Sequence, residues 1–269
     1  SHVSDTIRNQ LVDVSAVSSQ PDILVFGMLS ALLSSGTWLV LASYRGWPVS
    51  TTHIIVGAVV GFAGVGIGVD AVCWQTVASI ALSWVGTPLL AGLLAYLLFS
   101  SVQRRIFRSP NPVVQAKKQA RWYAFAVGFL MAYVLLRGIV RFLPMHEFSI
   151  FLISLGVGLL GVLVVHHFFC QNAAEENLKR REQFRGVERV FALLMVFTAA
   201  AMAFAHGSND VANAVGPLAS VVQILDAQGD VMAQCPIPPW VMMIGAGGII
   251  LGLSTWGYRV IATIGTNIT

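Results

Sequence analysis

The sequence predicts an all-α polytopic membrane protein, and two observations carry this prediction. Of the 269 residues, 56% are hydrophobic and only 10% are charged, whereas a soluble domain carries about 25% charged residues. The apolar residues also lie in long runs, most of which reach the roughly 20 residues that a helix needs to cross a bilayer. This composition excludes an ordinary soluble enzyme, a disordered chain and a nucleic-acid-binding protein.

Seven apolar runs of the sequence are candidate membrane segments. The third is too long for one upright helix, so we expect it to begin in a loop and to bend at Gly86-Thr87-Pro88, where proline removes a backbone donor. The fourth crosses the bilayer only if Arg137 and Arg141 extend towards the membrane surface. In chain order the runs are 23–44, 47–69, 71–102, 122–143, 148–165, 190–225 and 240–258.

Two connections hold most of the charge and predict the orientation of the chain. Residues 103–121 carry only basic charges, and residues 171–189 mix both signs. The predicted spans 122–143 and 148–168 separate these connections and place both on one side of the membrane, which the positive-inside rule makes cytoplasmic. We expect residues 175–189 to form a solvated surface helix, with a lipid-headgroup contact as the alternative.

One acidic residue breaks the membrane pattern. The chain has 12 Asp and Glu residues, and Asp210 is the one that lies within an apolar run, where a charge costs about 2.5 kcal/mol or more. Because the run 190–225 is too long for one crossing, we expect a helix that breaks near Gly207 or Gly216-Pro217. On a helix, three polar residues then share one face: Asn209, Asp210 and Asn213.

That shared face offers one carboxylate and two amide groups. Its oxygens suit Na⁺ or another hard cation, and its amide N–H groups suit an oxyanion. The alternative is a buried polar network that only fixes helix packing.

A second irregular segment begins the run 47–69. Pro48 followed by Ser50, Thr51 and Thr52 is typical of a helix start, with Ser50 or Thr51 as the N-cap. Hydroxyl groups and unpaired N–H groups then meet at one helix N-terminus, which attracts anions. Within an apolar run this is typical of the discontinuous helices that transporters aim at anionic substrates. An ordinary capped helix at the membrane surface is the alternative.

The two segments together predict coupled transport. A phosphate-like anion carries up to two negative charges, so the Asp210 carboxylate repels it unless a cation or a proton offsets that charge. The prediction requires that both segments share one pocket. A separation above about 15 Å between Asp210 and residues 50–52 contradicts it, because charges interact little over such distances.

At these two segments the chain resembles the PiT-type inorganic phosphate transporter family. Residues 207–214 read G-S-N-D-V-A-N-A and match the family's G-x-N-D-V-A-N-A motif, and residues 48–53 read P-V-S-T-T-H and match its P-x-S-T-T-H motif. The similarity extends over essentially the whole chain, including Thr6-Ile7-Arg8 and residues 256–261. It implies an inverted-repeat secondary transporter with discontinuous (re-entrant) helices.

The resemblance also implies roles for individual residues. One set would bind phosphate: Ser50, Thr51, Thr52, Asn209 and Asn213. A second, overlapping set would hold the coupling ion, Na⁺ or H⁺: Asn209, Asp210 and Asn213. His53 would either pack against an indole or hydroxyl group or relay a proton, and His206, which precedes the motif, is a candidate for tuning it.

Each motif occurs in both inverted copies of the family, but only once here, with P-x-S-T-T-H first. This order fits the end of copy one followed by the start of copy two, so we expect an internal piece of a longer transporter. We therefore divide the chain into the end of the first repeat at 1–102, central spans and basic loops at 103–189, and the start of the second repeat at 190–269.

Secondary active transport of inorganic phosphate is the leading interpretation. Sulfate is the nearest rival, because the family includes sulfate permeases, but a carboxylate acceptor such as Asp210 favours phosphate, which donates hydrogen bonds. An intramembrane hydrolase using Ser50 or Ser208 lacks a supporting G-x-S-x-G or H-E-x-x-H motif, and a channel is a third class. We expect an integral protein of a bacterial inner membrane, without nucleic acid or a cofactor beyond the coupling ion, and leave a homodimer open.

Overall fold

A computed structural model describes residues 10–13, 20–139, 146–169, 180–227 and 237–268. These residues are helical apart from turns and one isolated antiparallel bridge, Val12 to Val72. The α-helices are α1 Pro21–Tyr44, α2 Thr51–Gly66, α3 Trp74–Val102, α4 Pro112–Ile139, α5 Glu147–Phe169, α6 Arg180–Asp226, α7 Pro239–Gly252 and α8 Tyr258–Thr263.

Six helical segments among the described residues are long and apolar enough to cross a membrane, which confirms the predicted all-α polytopic fold. The apolar α3 has no buried residue along its 29 positions, as expected of a surface that faces lipid or another protein segment. In contrast, α2 has only 16 residues, fewer than the roughly 20 that one crossing requires. Its length agrees with the predicted discontinuous helix.

The described residues form two compact units, one up to Gly86 together with the part from Ala205 onward, and one over Thr87–Phe204. These units reflect packing between residues, whereas the predicted boundaries at 102 and 189 reflect sequence repeats. The division by repeats stays a prediction. Arg141, Thr6-Ile7-Arg8 and residues 171–179 lie outside the described residues.

The first unit is organised around the contact between α1 and α2. Met28 of α1 and Val59 of α2 are fully buried in one apolar cluster, which Val221 and Ile224 from the end of α6 complete. The chain reverses direction between α1 and α2 at Gly46, whose φ of 71° lies in the left-handed region that glycine adopts at low cost. This reversal places the polar N-terminus of α2 at the site described below.

The second unit contains α4 and α5, whose backbones pack closely together. A Cβ atom on Gly161 of α5 would lie 3.1 Å from the carbonyl oxygen of Ala124 in α4. Small residues at helix contacts allow such approach in membranes. The predicted loop 103–121 is largely helical, because α4 begins at Pro112, a favourable first helical residue, and continues through alanine, glutamine and lysine, which are good helix formers.

The expected break near Gly207 or Gly216-Pro217 is wrong, since α6 continues unbroken over 47 residues with Pro217 inside it. Part of this length is the charged start of the helix at Arg180–Arg189, which agrees with the surface helix expected there. Pro217 is itself fully buried, so packing holds the helix where local sequence rules predict an interruption. The helix α3 begins at Trp74 after a 3₁₀ turn, as expected, and it stays helical through Pro88. The bend expected at Gly86-Thr87-Pro88 stays a prediction.

Candidate functional site

The start of α2 is capped as the sequence predicts. The Ser50 hydroxyl accepts a hydrogen bond from the His53 backbone N–H at 3.3 Å, and the Ser50 carbonyl accepts from the Ile54 N–H at 3.2 Å. The N–H groups of Thr51 and Thr52 occupy the first helical positions, where no intrahelical carbonyl is within reach. The N-terminus of α2 thus presents two backbone donors beside two hydroxyl groups.

These hydroxyl groups contact the polar face of α6 directly. Thr51 Oγ1 donates to Asp210 Oδ1 at 2.7 Å, which satisfies the requirement that the two motifs share one pocket. Asn213 Nδ2 donates to Thr51 Oγ1 at 3.1 Å and to Thr52 Oγ1 at 3.0 Å, and Asn209 Nδ2 reaches Thr52 Oγ1 at 3.5 Å. The helical spacing of α6 therefore places Asn209, Asp210 and Asn213 on one face, as predicted.

Two polar groups in this cluster keep unused bonding capacity. Asn213 is 3% exposed, and its Oδ1 atom is buried without a hydrogen-bond partner, although a buried carbonyl oxygen normally has one. Thr52 Oγ1 accepts from two amides, which leaves its own proton available to another acceptor. The cluster therefore retains one buried acceptor, suited to a cation, and one hydroxyl donor, suited to an anion.

Ser50 plays a different part from its two neighbours. Its hydroxyl oxygen caps the backbone of α2, and its side chain has no contact with Asn209, Asp210 or Asn213 among the described hydrogen bonds. A binding role for Ser50 stays a prediction. The structure brings together the other five predicted residues: Thr51, Thr52, Asn209, Asp210 and Asn213.

The two histidines near the motifs lie in different surroundings. His206 Nε2 lies 3.4 Å from Asp210 Oδ2, one helical turn along α6. The spacing of four residues is the sequence signal for this contact, although sequence alone does not show that both side chains turn towards each other. His53 packs against the indole of Trp84 with ring centroids 3.8 Å apart. This is the packing contact that the sequence left open beside a proton relay.

A cavity of about 680 Å³ opens beside the cluster, within the first unit. Thr51, His206 and Asp210 form part of its wall, and most of the remaining wall is apolar, including Trp47 and Trp256. A few polar groups in a mostly apolar cavity are typical of a site that orients a small ligand. Thr51, His206 and Asp210 supply hydroxyl, imidazole and carboxylate groups to this wall.

Several known proteins are similar to this chain. A Haemophilus influenzae protein, whose name assigns it provisionally to the phosphate permeases, is 40% identical over 99% of this chain and 64% of its own length. Inorganic phosphate transporter 2-1, chloroplastic, of Arabidopsis thaliana is 35% identical over 100% of this chain and 49% of its own length. The chain thus spans at most about two thirds of either relative.

A solved structure and a family model give further similarities, and both are described by phosphate transport. The structure, described as the sodium-dependent phosphate transporter, superimposes with a TM-score of 0.86 at 34% identity, covering 98% of this chain and 64% of that one. The model of the phosphate transporter family matches residues 1–269. These matches favour a transporter over the hydrolase alternative and agree with an integral membrane protein of the bacterial plasma membrane. The chain belongs to the phosphate transporter family.

Proposed function

We propose that the full-length protein transports inorganic phosphate by secondary active transport coupled to Na⁺. The observation that carries this proposal is the contact between the α2 N-terminus and Asp210, with Thr51 Oγ1 and Asp210 Oδ1 2.7 Å apart. This contact joins the hydrogen-bond donors that could bind an anion to the oxygen atoms that could bind a cation. The relatives named for phosphate support the same substrate.

The anion side of the proposed site is the start of α2. The backbone N–H groups of Thr51 and Thr52 and the free Thr52 hydroxyl proton can all donate to phosphate oxygens, and the helix dipole favours negative charge there. Asn209 supplies a further amide. The Asp210 carboxylate can accept a hydrogen bond from a protonated phosphate oxygen, and sulfate has no such proton at neutral pH. This difference favours phosphate over sulfate.

The cation side is formed by oxygen atoms of α6. Asp210 supplies a carboxylate, and the unpaired Asn213 Oδ1 supplies a neutral oxygen. This set suits a hard cation such as Na⁺. Because bound Na⁺ offsets the Asp210 charge, it removes the repulsion that a phosphate anion meets at this site. The charge balance is the proposed reason that the two ions travel together.

Phosphate uptake into proteoliposomes of the full-length protein tests this proposal. We expect ³²P-phosphate to accumulate under an inward Na⁺ gradient, to accumulate little under a pH gradient alone, and to resist competition by excess unlabelled sulfate. Accumulation under the pH gradient alone would assign the coupling to H⁺. Uptake that only equilibrates, without following either gradient, would identify a channel, and strong competition by sulfate would identify a sulfate permease.

A further inference from the structure

The end of α1 is completed by a side chain from the far end of the sequence. The last four carbonyl groups of a helix have no intrahelical partner. The turn that follows α1 satisfies three of them, those of Leu41, Ala42 and Ser43, through backbone N–H groups at 2.8–3.2 Å. The fourth carbonyl, of Tyr44, accepts a hydrogen bond from Arg259 Nη1 at 2.7 Å. A cation at a helix C-terminus is also favoured by the helix dipole.

Aromatic contacts fix the Arg259 guanidinium in this position. It lies over the Tyr44 ring at 4.8 Å from the centroid, and its Nε donates to the Tyr258 hydroxyl at 3.1 Å. Tyr44 in turn packs edge-on against Trp256, with centroids 6.4 Å apart. Arg259 is therefore held by several groups that all belong to the first unit.

The turn after α1 also packs tightly against α8. Gly46 is buried, and a Cβ atom there would lie 3.0 Å from Thr263 Oγ1 and 3.4 Å from the Arg259 carbonyl oxygen. Thr263 Oγ1 donates to that same carbonyl at 3.0 Å. The turn thus lies so close to α8 that a side chain larger than that of glycine would crowd the helix.

This turn leads directly into the candidate site. Only the turn residues 45–49 separate Tyr44 from Ser50, the cap of α2. Trp47, Pro48 and Val49 line the cavity together with Thr51, whereas Arg259 is not among the residues that line it. A displacement of the turn therefore moves the hydroxyl groups, although Arg259 itself lies behind the wall.

We propose that Arg259 is a positioning residue that fixes the turn 45–49, and through it Thr51 and Thr52, for binding. The inference deepens the proposed transport function and rests on it, since the role concerns the same site. Arg259 acts on the substrate only through the backbone it holds. Loss of its side chain frees the Tyr44 carbonyl and lets the start of α2 shift relative to Asp210.

Two readouts on the full-length protein test this role. We expect Arg259→Gln to increase amide hydrogen exchange over residues 45–53 by about tenfold, because a charge-assisted hydrogen bond to the backbone is lost. In proteoliposomes we expect the KM for phosphate to rise by about tenfold while Vmax changes less than about twofold, since misplacement of ligands weakens binding. Arg259→Lys, which retains a donor for the carbonyl, should recover most of both.

The matched control is Arg137→Gln. Arg137 also lies over a tyrosine ring and donates to its hydroxyl, on Tyr133, but it has no role in the turn, so exchange over 45–53 should stay unchanged. A rise in KM without faster exchange at 45–53 would make Arg259 a direct anion contact and overturn the proposal. Unchanged exchange and unchanged KM would overturn it as well.

The exchange readout separates this inference from the proposed function. If wild-type protein shows no phosphate uptake, the function fails, but faster exchange over 45–53 in Arg259→Gln still supports the positioning role. If Arg259→Gln does not fold, Tyr258→Phe removes one contact that orients the guanidinium and leaves Arg259 in place. It should change exchange and KM in the same direction by a smaller factor, and no change in exchange would count against the proposal.

Discussion

Asp210→Asn is expected to reduce Na⁺-driven phosphate uptake to background while the protein remains folded. Asparagine keeps an oxygen that can accept from Thr51 Oγ1, so the link between α2 and α6 survives. What disappears is the negative charge that the cation requires. Removing one partner of a shielded charge pair costs about 2–5 kcal/mol, which corresponds to at least roughly a thirtyfold loss of Na⁺ affinity.

The measurement combines uptake with a thermal-shift titration of Na⁺ on the purified protein. We expect Na⁺ to raise the melting temperature of the wild type and to lose this effect in Asp210→Asn, because a ligand stabilises only the state that binds it. Asp226→Asn is the matched control, since Asp226 is an exposed acid at the end of the same helix. Its uptake should stay within about twofold of the wild type.

The outcomes separate a functional from a structural carboxylate. Uptake that persists in Asp210→Asn at normal Na⁺ dependence would remove Asp210 from the site and leave the family assignment intact. Loss of uptake with a large drop in melting temperature, without added Na⁺, would make Asp210 a packing residue. Only lost uptake and lost Na⁺ response in a stable protein agree with the proposed charge balance.

Local sequence rules predicted the parts of the site that depend on helical geometry. Asn209, Asp210 and Asn213 share a face because a helix repeats every 3.6 residues, and Ser50 caps α2 because a hydroxyl suits that position. The same capping explains why Ser50 does not join the cluster. Its oxygen bonds to the backbone of its own helix, whereas Thr51 and Thr52 point towards α6.

Tertiary contacts determine the structural features that local sequence rules do not predict. Pro217 and the glycines near it indicated a break, but α6 is held by buried neighbours and by hydrogen bonds to α2, so it continues as one helix. The charge of residues 103–121 predicts a loop, yet lysine, alanine and glutamine favour a helix when a proline starts it. The contact between Tyr44 and Arg259 joins residues 215 positions apart, and no local pattern predicts it.

The contact between the two motifs is a condition of the charge argument for coupled transport, and neither segment predicts it alone. An anion site at a helix N-terminus and an acid within an apolar run each have a plain structural explanation. Coupling them requires that they meet, and the structure places Thr51 between Asp210 and Asn213. Thr51 is therefore the residue whose hydroxyl serves both halves of the site.

Thr51→Val should consequently weaken the apparent affinities for both phosphate and Na⁺, whereas Thr51→Ser should retain most of the uptake activity. Valine has nearly the same shape but no hydroxyl, so Asp210 Oδ1 loses a donor and one N–H of the buried Asn213 amide loses its acceptor. An unsatisfied buried group costs about 1–3 kcal/mol, or roughly 5- to 150-fold in affinity. Serine keeps the oxygen at the same position and loses only a methyl group.

Initial uptake rates measured against phosphate and against Na⁺ give the two apparent affinities for each variant. Thr37→Val is the matched control, because Thr37 donates to the Leu33 carbonyl within α1 and should show no change in either affinity. If Thr51→Val weakens only the phosphate affinity, the cation site does not depend on this hydroxyl. If Thr51→Ser is as impaired as Thr51→Val, the methyl group and its packing matter more than the hydrogen bonds. A loss of both affinities that serine restores would show that one hydroxyl links the anion and the cation, which is the structural basis that coupled transport requires.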